Sequence, residues 1–408
     1  MTDRSAILTI VFSSLGHAYT HMFTAFYFVI VLALEEDWSI AYHELIELWT
    51  LGALLVGVCA LPAGWIADRW SARGMMVVFF IGLGGAGILC AMVSRPLAMM
   101  IGLSAIGVFA AIYHPVGIPW LVRNTPRRGL ALGINGVFGP IGIAAAGLVA
   151  GALIDGYGWR AAFFLPGVVS ICTGVALWVC SALGLLGDGT QRLQSAAPPS
   201  RGDMIRAFAI LLVTMVVMGL VFQSVQVAIP KLFDLRIRDI VGEGALGIGA
   251  MVAAVYVLGG TVQVLGGYLA DKVSLKPIYF LGFLLQVPVL AMVAVAGGFP
   301  LLVLAVLMVV LTSATLPAEN LLLARYTPAR HHSLAFGVKF VLAFGTAPLA
   351  IQAVSIVQEK TGEFEWLFIG LAVIAACAAL AAALLPREIG TGPARLGLAS
   401  EPRGRTPI

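Results

Sequence analysis

Twelve long apolar runs dominate this sequence and limit what it can fold into. Each run has the length of about 20 residues or more that an α-helix needs to cross the hydrocarbon core of a bilayer. Charged residues make up only 11% of the chain, whereas soluble domains carry about 25%. The sequence therefore predicts an all-α polytopic membrane protein. We place the helices near 6–32, 45–67, 74–94, 97–122, 130–154, 160–185, 207–231, 245–270, 275–297, 300–324, 333–357 and 364–386.

The basic residues predict an orientation. Of the 24 Lys and Arg residues, 17 fall in the termini and loops on one side of the twelve helices, and six fall on the other side. Lys339 alone lies within an apolar run. Because cytoplasmic loops of membrane proteins carry an excess of Lys and Arg, we expect both termini to be cytoplasmic.

The chain also reads as two copies of one six-helix unit. "GWIADRWSAR" (64–73) is matched by "GYLADKVSLK" (267–276), and "HPVGIPWLVRNTP" (114–126) by "LPAENLLLARYTP" (316–328). Such parallel repeats are found in secondary transporters. We predict a six-helix half over 1–186, a cytoplasmic linker over 187–206, a second half over 207–386, and a disordered cytoplasmic tail over 387–408.

The duplicated Gly-x-x-x-Asp-Arg/Lys motif, after the second and eighth helices, resembles the cytoplasmic loop motif of the major facilitator superfamily. This resemblance covers residues 6–386 and implies two pseudo-symmetric halves that work by alternating access, with helices 1, 4, 7 and 10 lining a central cavity. It also implies charged networks that hold the halves together on the cytoplasmic side. The residues assigned to this cytoplasmic gate are Gly64, Asp68, Arg69, Arg73, Arg123, Asp271 and Lys272.

Two further motifs refine the resemblance. His17 with a polar residue four positions later, together with "YHPVG" (113–117), is similar to the fosmidomycin-resistance branch, although that branch usually has Asp where this chain has His21. Gly139-Pro140 resembles the fifth-helix motif of superfamily antiporters. We assign a helix-packing role to Pro115, Gly139, Pro140, Gly147 and Gly151, since small residues let membrane helices approach closely.

Polar and ionisable residues inside the apolar runs are the candidates for function, because burying them in a bilayer is costly. His17 and His21 lie one turn apart, and histidine exchanges protons near neutral pH. They could also bind a metal, but no third ligand is evident, so no metal site is predicted. The proposed substrate and proton pathway comprises His17, Tyr19, His21, His114, Gln223, Gln226, Glu319, Asn320 and Lys339.

Glu319 and Lys339 have similar depths in neighbouring helices, which predicts an ion pair that depends on substrate or proton. The alternative is that the Lys339 side chain extends to the membrane interface. Either way, Glu319 is the one carboxylate predicted to lie well inside a helix.

These features together predict a transporter rather than an enzyme. The sequence has no phosphate-binding Gly-x-x-x-x-Gly-Lys-Ser/Thr loop, no Ser-His-Asp set and no unexplained basic patch for nucleic acid. We therefore expect no cofactor, and a monomer in a bacterial inner membrane. It would move a small organic anion or zwitterion with proton coupling. Efflux is favoured, proton-coupled uptake of an organic anion is the alternative, and a sensor or assembly scaffold is a third possibility.

Overall fold

The computed structural model describes residues 3–125, 128–187, 200–242, 244–327 and 332–386. Within them, twelve helical segments are long and apolar enough to cross a membrane. Numbered as spans 1 to 12, they are Arg4–Trp38, Tyr42–Arg69, Ala72–Met92, Pro96–Asn124, Ala131–Tyr157, Trp159–Ala182, Arg201–Arg236, Ala245–Ala270, Leu275–Val295, Gly298–Tyr326, Ala335–Thr361 and Glu365–Ala383. The predicted number and order of helices are thus confirmed.

Four spans are interrupted. Span 1 consists of helices Asp3–Ala25 and Tyr27–Trp38, span 2 of Tyr42–Glu47, Thr50–Val58 and Ala60–Arg69, span 4 of Pro96–Ala110 and Tyr113–Asn124, and span 11 of His332–Gly345 and Ala347–Thr361. In span 4 the interruption precedes Pro115, which has no N–H to continue the helical ladder. It brings His114 to the first turn of the second helix.

Spans 1–6 and 7–12 form the two halves, and the second half begins earlier than predicted. The helix of span 7 starts at Arg201, and the Ser200 side chain caps it by accepting from the Asp203 amide. Residues 201–206, which the sequence analysis placed in the linker, are therefore helical. Most of the predicted linker (188–199) and the tail from 387 onward lie outside the described residues.

The halves pack most closely where spans 5 and 8 cross. A Cβ on Gly249 would clash with the Gly147 carbonyl oxygen, and one on Gly151 would lie 2.6 Å from the Ala245 oxygen. Pro140 fills the space beside Gly260. Backbone meets backbone at Gly147 and Gly151 without room for side chains, which agrees with the helix-packing role predicted for them.

Polar contacts close the two halves together on the side opposite the linker, here called the far side. Lys231 Nζ lies 2.6 Å from Glu35 Oε2, which joins the ends of spans 1 and 7. Asp155 accepts from the first two amides of span 8, each at 2.9 Å, where a helix N-terminus favours negative charge. The far side therefore has a charged gate that joins spans of the two halves.

A second set of far-side contacts joins span 2 to spans 7 and 11. Ser355 Oγ donates to Glu47 Oε1 at 2.7 Å, and its residue is 1% exposed. Tyr42, at the start of span 2, donates to the Val227 carbonyl oxygen of span 7 at 3.3 Å. Further hydrogen bonds between the halves, from Gln352 to Thr50 and from Ser355 to the His43 carbonyl oxygen, lie at or towards the same side.

The predicted contact between Asp68 and Arg123 of the cytoplasmic gate is not formed between these two described residues. Asp68 is exposed and pairs with no cation among the described residues, and Arg123 Nε is buried without a hydrogen-bond partner. Arg73 instead binds the Ser181 hydroxyl and the Leu186 carbonyl oxygen, at the end of span 6 in its own half. The pairing of Asp68 with Arg123 therefore stays a prediction for a state closed on the linker side.

Other gate residues have local roles or cannot be placed. The Arg69 guanidinium lies 4.1 Å above the Trp65 ring, and Gly64 packs against the Pro115 ring. The side chains of Asp271 and Lys272 lie outside the described residues. The duplicated motif can therefore be followed structurally in its first copy alone.

Candidate functional site

Three histidines from two spans meet near the middle of the first half. We call His17, His21 and His114 the histidine cluster. The ring centroids of His17 and His21 are 5.0 Å apart, and His114 lies 5.5 Å from each. His17 and His21 are brought together by their spacing of one helical turn, whereas His114 arrives from span 4. One ring nitrogen of each lies within 4.8 Å of those of the other two.

A buried polar network orients His17. Its Nδ1 lies 2.7 Å from the Asn135 carbonyl oxygen, and because a carbonyl only accepts, Nδ1 must carry the hydrogen. In the neutral ring the Nε2 lone pair is therefore free. The Asn135 side chain donates to Tyr113 Oη and to Ser13 Oγ, and the Tyr113 ring stacks on His17 at 5.1 Å.

Gly139 makes room for this arrangement. A Cβ added at Gly139 would lie 3.0 Å from both Cε1 and Nε2 of His17 and 3.4 Å from His21 Cδ2. The first residue of the Gly139-Pro140 motif thus sits directly beside the histidine cluster, in addition to the packing role predicted for it.

His114 also contacts the opposite half. Its ring is 5.1 Å from that of Phe340 and 4.9 Å from that of Phe344, both in span 11. The two phenylalanine rings are nearly parallel to each other. His114 therefore lies at the contact between the halves. One of its two aromatic partners, Phe340, directly follows Lys339 in the chain.

The second half holds the predicted ion pair. Lys339 Nζ lies 2.7 Å from Glu319 Oε1, with exposed side-chain fractions of 8% and 2%. The pairing of Glu319 with Lys339 is confirmed, and extension of Lys339 to the interface is not observed. Lys339 also donates to Asn320 Oδ1.

Further polar groups satisfy the second Glu319 oxygen. Tyr279 Oη lies 2.9 Å from Glu319 Oε2 and 2.8 Å from Thr214 Oγ1. A buried carboxylate needs such partners, because an ion pair taken out of water recovers its desolvation cost only when its remaining lone pairs are hydrogen-bonded. The group of Glu319, Lys339, Asn320, Tyr279 and Thr214 is called the ion-pair cluster below.

A cavity lies between the halves, beside the histidine cluster. Its lining comes from spans 1, 2, 7 and 11 and combines aromatic rings with neutral polar groups. The lining residues are Thr20, His21, Thr24, Phe28, Trp49, Ala53, Val56, Phe222, Gln223, Gln226, Phe344 and Ala347. No carboxylate is among these described lining residues, so the cavity wall favours a solute with an apolar body and hydrogen-bonding groups.

Gln226 is the polar group of this wall with the clearest spare capacity. Its Nε2 is buried without a hydrogen-bond partner, and the residue is 6% exposed. A second, adjoining cavity is lined by Gln226 and Tyr256, and the Tyr256 hydroxyl is likewise buried and unpartnered. Because buried polar groups are normally hydrogen-bonded, these donors are suited to an acceptor group of a solute.

The structure corrects two expectations about the pathway. Tyr19 faces away from the cavity: its hydroxyl lies 3.2 Å from Thr173 Oγ1, and its ring packs edge-on against Phe80. The reason is helical geometry, since a residue two positions from His17 lies about 200° around the helix axis. Glu319 and Asn320 do not line the described cavity either. The predicted single polar space is instead a histidine cluster, an ion-pair cluster and a glutamine-lined cavity.

Several residues of these sites were not predicted from the sequence. Asn135 and Tyr279 lie in apolar runs without a charge to mark them, and Thr214 resembles an ordinary helix-packing residue. A detectable signal did exist for the far side: "EED" (35–37) ends span 1, and Lys231 lies near the same end of its repeat counterpart, span 7.

Comparison with known proteins decides the family. The model of the Major Facilitator Superfamily matches residues 13–260 and 211–407. The chain belongs to the Major Facilitator Superfamily. It is an integral membrane protein of a transporter superfamily, not of an enzyme family. The resemblance to the fosmidomycin-resistance branch stays a prediction.

Curated relatives match part of the chain. The 4-hydroxybenzoate transporter PcaK of Pseudomonas putida is 27% identical over 153 residues, which are 36% of this chain and 33% of that protein. The multidrug resistance protein B homolog of Mycobacterium tuberculosis strain H37Rv is 28% identical over 139 residues, 33% of this chain and 25% of that protein. The probable actinorhodin transporter of Streptomyces coelicolor is 28% identical over 144 residues, 33% of this chain and 25% of that protein. The matches thus span a third or less of each relative.

Solved structures match the whole fold. The inward-facing, occupied crystal structure of a bacterial homologue of the human lysosomal transporter Spinster has a TM-score of 0.73 and 13% identity, over 94% of this chain and 97% of that chain. The inward-facing, unoccupied structure of such a homologue has a TM-score of 0.67 over 94% and 95%. This likeness shows the twelve-helix superfamily fold.

Proposed function

We propose that this protein is a proton-coupled secondary transporter of a small organic anion that works by alternating access. The observation that carries the proposal is the buried Glu319–Lys339 ion pair, 2.7 Å between charged atoms, within a twelve-helix fold that is closed on its far side. With both termini in the cytoplasm, as the basic residues predict, this state faces inward.

The ion pair offers a way to couple a proton to an anion. Glu319 Oε1 forms an ion pair with the Lys339 ammonium group. Protonation of the carboxylate removes the negative charge that holds this ammonium group. Lys339 is then free to bind the carboxylate or phosphonate of a solute. The other titratable group that contacts Glu319 among the described residues is Tyr279. Its single hydroxyl hydrogen can be donated either to Glu319 Oε2 or to Thr214 Oγ1.

This coupling has a direction. An anion can replace Glu319 on Lys339 only when Glu319 is neutral, so the proton and the anion bind together. Binding of both to one state is the condition for symport. The pair thus favours the sequence-based alternative, uptake of an organic anion with protons, over the efflux that the motifs favoured.

The cavity wall supports an aromatic or similarly flat solute. Phe28, Trp49, Phe222 and Phe344 present rings, and Gln226 presents an unpartnered donor. A solute with an apolar body and one acidic group would satisfy both features. A partial match to a relative named as a 4-hydroxybenzoate transporter agrees with this class.

The test is the lumenal pH of proteoliposomes that hold the purified protein. External addition of benzoates, aliphatic carboxylates, phosphonates or cationic drugs should acidify the lumen with one anionic class if the protein is a symporter, whereas an antiporter should make it more alkaline. Protein-free liposomes correct for weak acids that cross the bilayer unaided.

Two variants make the test specific to the ion pair. Glu319→Gln should abolish substrate-driven proton movement while exchange of labelled substrate continues, because the variant mimics the neutral state. Glu359→Gln, which alters an exposed glutamate on the far side of span 11, is the matched control and should behave as wild type. Proton coupling that survives in Glu319→Gln contradicts the assignment of Glu319, and the absence of transport with all classes favours the sensor or scaffold.

A further inference from the structure

We propose that the histidine cluster is a binding site for a divalent late transition-metal ion of the Zn²⁺ class. The sequence places His17 and His21 one helical turn apart, and the fold supplies the missing third ligand, His114, from span 4. The three ring nitrogens already lie within 4.8 Å of one another. This inference concerns binding alone, so it does not depend on the proposed transport.

The hydrogen bonding of the three rings leaves metal-binding nitrogens free. His17 Nδ1 donates to the Asn135 carbonyl oxygen, so its Nε2 presents a lone pair. Metal-bound histidines almost always use their second nitrogen in this way, and the partner fixes the orientation of the ring. His21 and His114 make no ring hydrogen bond with any described residue, although His114 is only 7% exposed.

The rings also face one another in a suitable manner. His114 meets both other rings nearly at right angles, at 88° and 85°, so none of the pairs formed by His114 is a stacked pair. Zn²⁺–N distances of about 2.0–2.1 Å place tetrahedral ligand nitrogens about 3.4 Å apart. Closing from 4.8 Å requires a shift of roughly an ångström, which side-chain rotation provides.

Access and selectivity follow from the surroundings. His21 lines the cavity between the halves, which gives an ion a route and a fourth ligand a place, as in zinc sites with three histidines and one open position. Imidazole ligands suit Zn²⁺, Cu²⁺ and Ni²⁺, whereas Mg²⁺ and Ca²⁺ prefer oxygen. With three neutral ligands the ion keeps its charge, so the fourth ligand is an anion or water.

The experiment is a Co²⁺ titration of the full-length protein in detergent, purified without a histidine tag and followed by visible absorption. Wild type should bind one Co²⁺ with the intense bands of a tetrahedral site, and Zn²⁺ should displace it. Zn²⁺ should also raise the melting temperature, and Mg²⁺ should not. Absence of both the bands and the Zn²⁺ effect overturns the proposal.

Variants locate the site. His21→Gln and His114→Gln should each weaken Zn²⁺ binding by at least about tenfold, the lower end of what disturbing a metal site costs. His43→Gln, a partly exposed histidine on the far side, and the double variant His331→Gln/His332→Gln should bind as wild type. Wild-type affinity in both cluster variants, or its loss in a control, refutes the assignment.

Folding is checked separately by the melting temperature without metal. If His114→Gln does not yield folded protein, His21→Gln decides the question, because His21 is only partly buried and makes no ring hydrogen bond with the described residues.

Discussion

The two halves bury polar groups in opposite ways. The first half brings together three imidazoles, and the rings of His21 and His114 form no hydrogen bond with the described residues. The second half buries a full ion pair whose carboxylate oxygens are both occupied, by Lys339 and by Tyr279. The two pseudo-symmetric halves thus share a helical framework while their polar clusters differ in charge and in how many of their polar atoms are hydrogen-bonded.

The contrast continues at the far side. There the first half contributes the carboxylates Glu35, Glu47 and Asp155, and the second half contributes their donors, among them Lys231 and Ser355. Tyr42 of the first half is the exception described above, since it donates to the Val227 carbonyl oxygen. Each half is therefore specialised: the closed gate needs one partner from each. His114 contacts Phe340 and Phe344 across the boundary between the halves, so a rigid-body movement of the halves would alter the histidine cluster.

The largest expected effect comes from breaking the ion pair on one side. Lys339→Met leaves Glu319 buried without its countercharge and should cost about 3–5 kcal/mol of stability. The double variant Glu319→Gln/Lys339→Met should recover much of that loss. Thermal unfolding in detergent measures both, with the exposed Lys360→Met as the matched control. Equal stability of the single and double variants contradicts a coupled pair.

Removal of the polar network in the first half should cost less, because no charge is stranded. Asn135→Leu deprives Tyr113 and Ser13 of a partner and should lower stability by about 1–3 kcal/mol. The same unfolding measurement compares it directly with Lys339→Met. A loss as large as that of Lys339→Met would remove the distinction between a neutral and a charged cluster.

Crowding the histidine cluster should have a smaller effect on stability and a local one on His17. Gly139→Ala adds a Cβ 3.0 Å from His17 Cε1 and Nε2, and overpacking costs about 1–3 kcal/mol, less the gain in helix propensity. Gly133→Ala is the control in the same helix, because no described atom lies within 4 Å of the added Cβ. Its effect on stability should be neutral or favourable. Equal melting temperatures for the two variants would show that the cluster tolerates displacement.

The smallest effect is expected at the far-side gate, where Lys231 keeps Asp234 as a second carboxylate partner at 3.2 Å. Glu35→Gln weakens the contact with Lys231, and the loss of free energy is at most about 1 kcal/mol. The population of molecules that are open on the far side should therefore rise by up to about fivefold. Labelling of an Ala53→Cys reporter in the cavity by an impermeant maleimide measures it. Glu36→Gln, 79% exposed and 4.0 Å from Arg238, is the control and should change labelling less.

The sequence by itself determined the twelve spans, their order and the two related halves, and it indicated the Glu319–Lys339 pair as one of two possible placements of Lys339. Each depends on hydrophobicity along the chain and on axial depth, and depth follows from the rise per residue. The close crossing at Gly147 and Gly151 was also readable, since two small residues four apart mark one face of a helix.

Only the tertiary structure decided which faces meet. It brought His114 to His17 and His21, placed the Asn135 carbonyl oxygen on His17, turned Tyr19 towards span 6, and joined Glu35 to Lys231. These contacts depend on the rotation and crossing of helices that are distant in sequence, set by packing across the whole bundle. A periodic pattern gives the faces of each helix, but not the partner that each face finds.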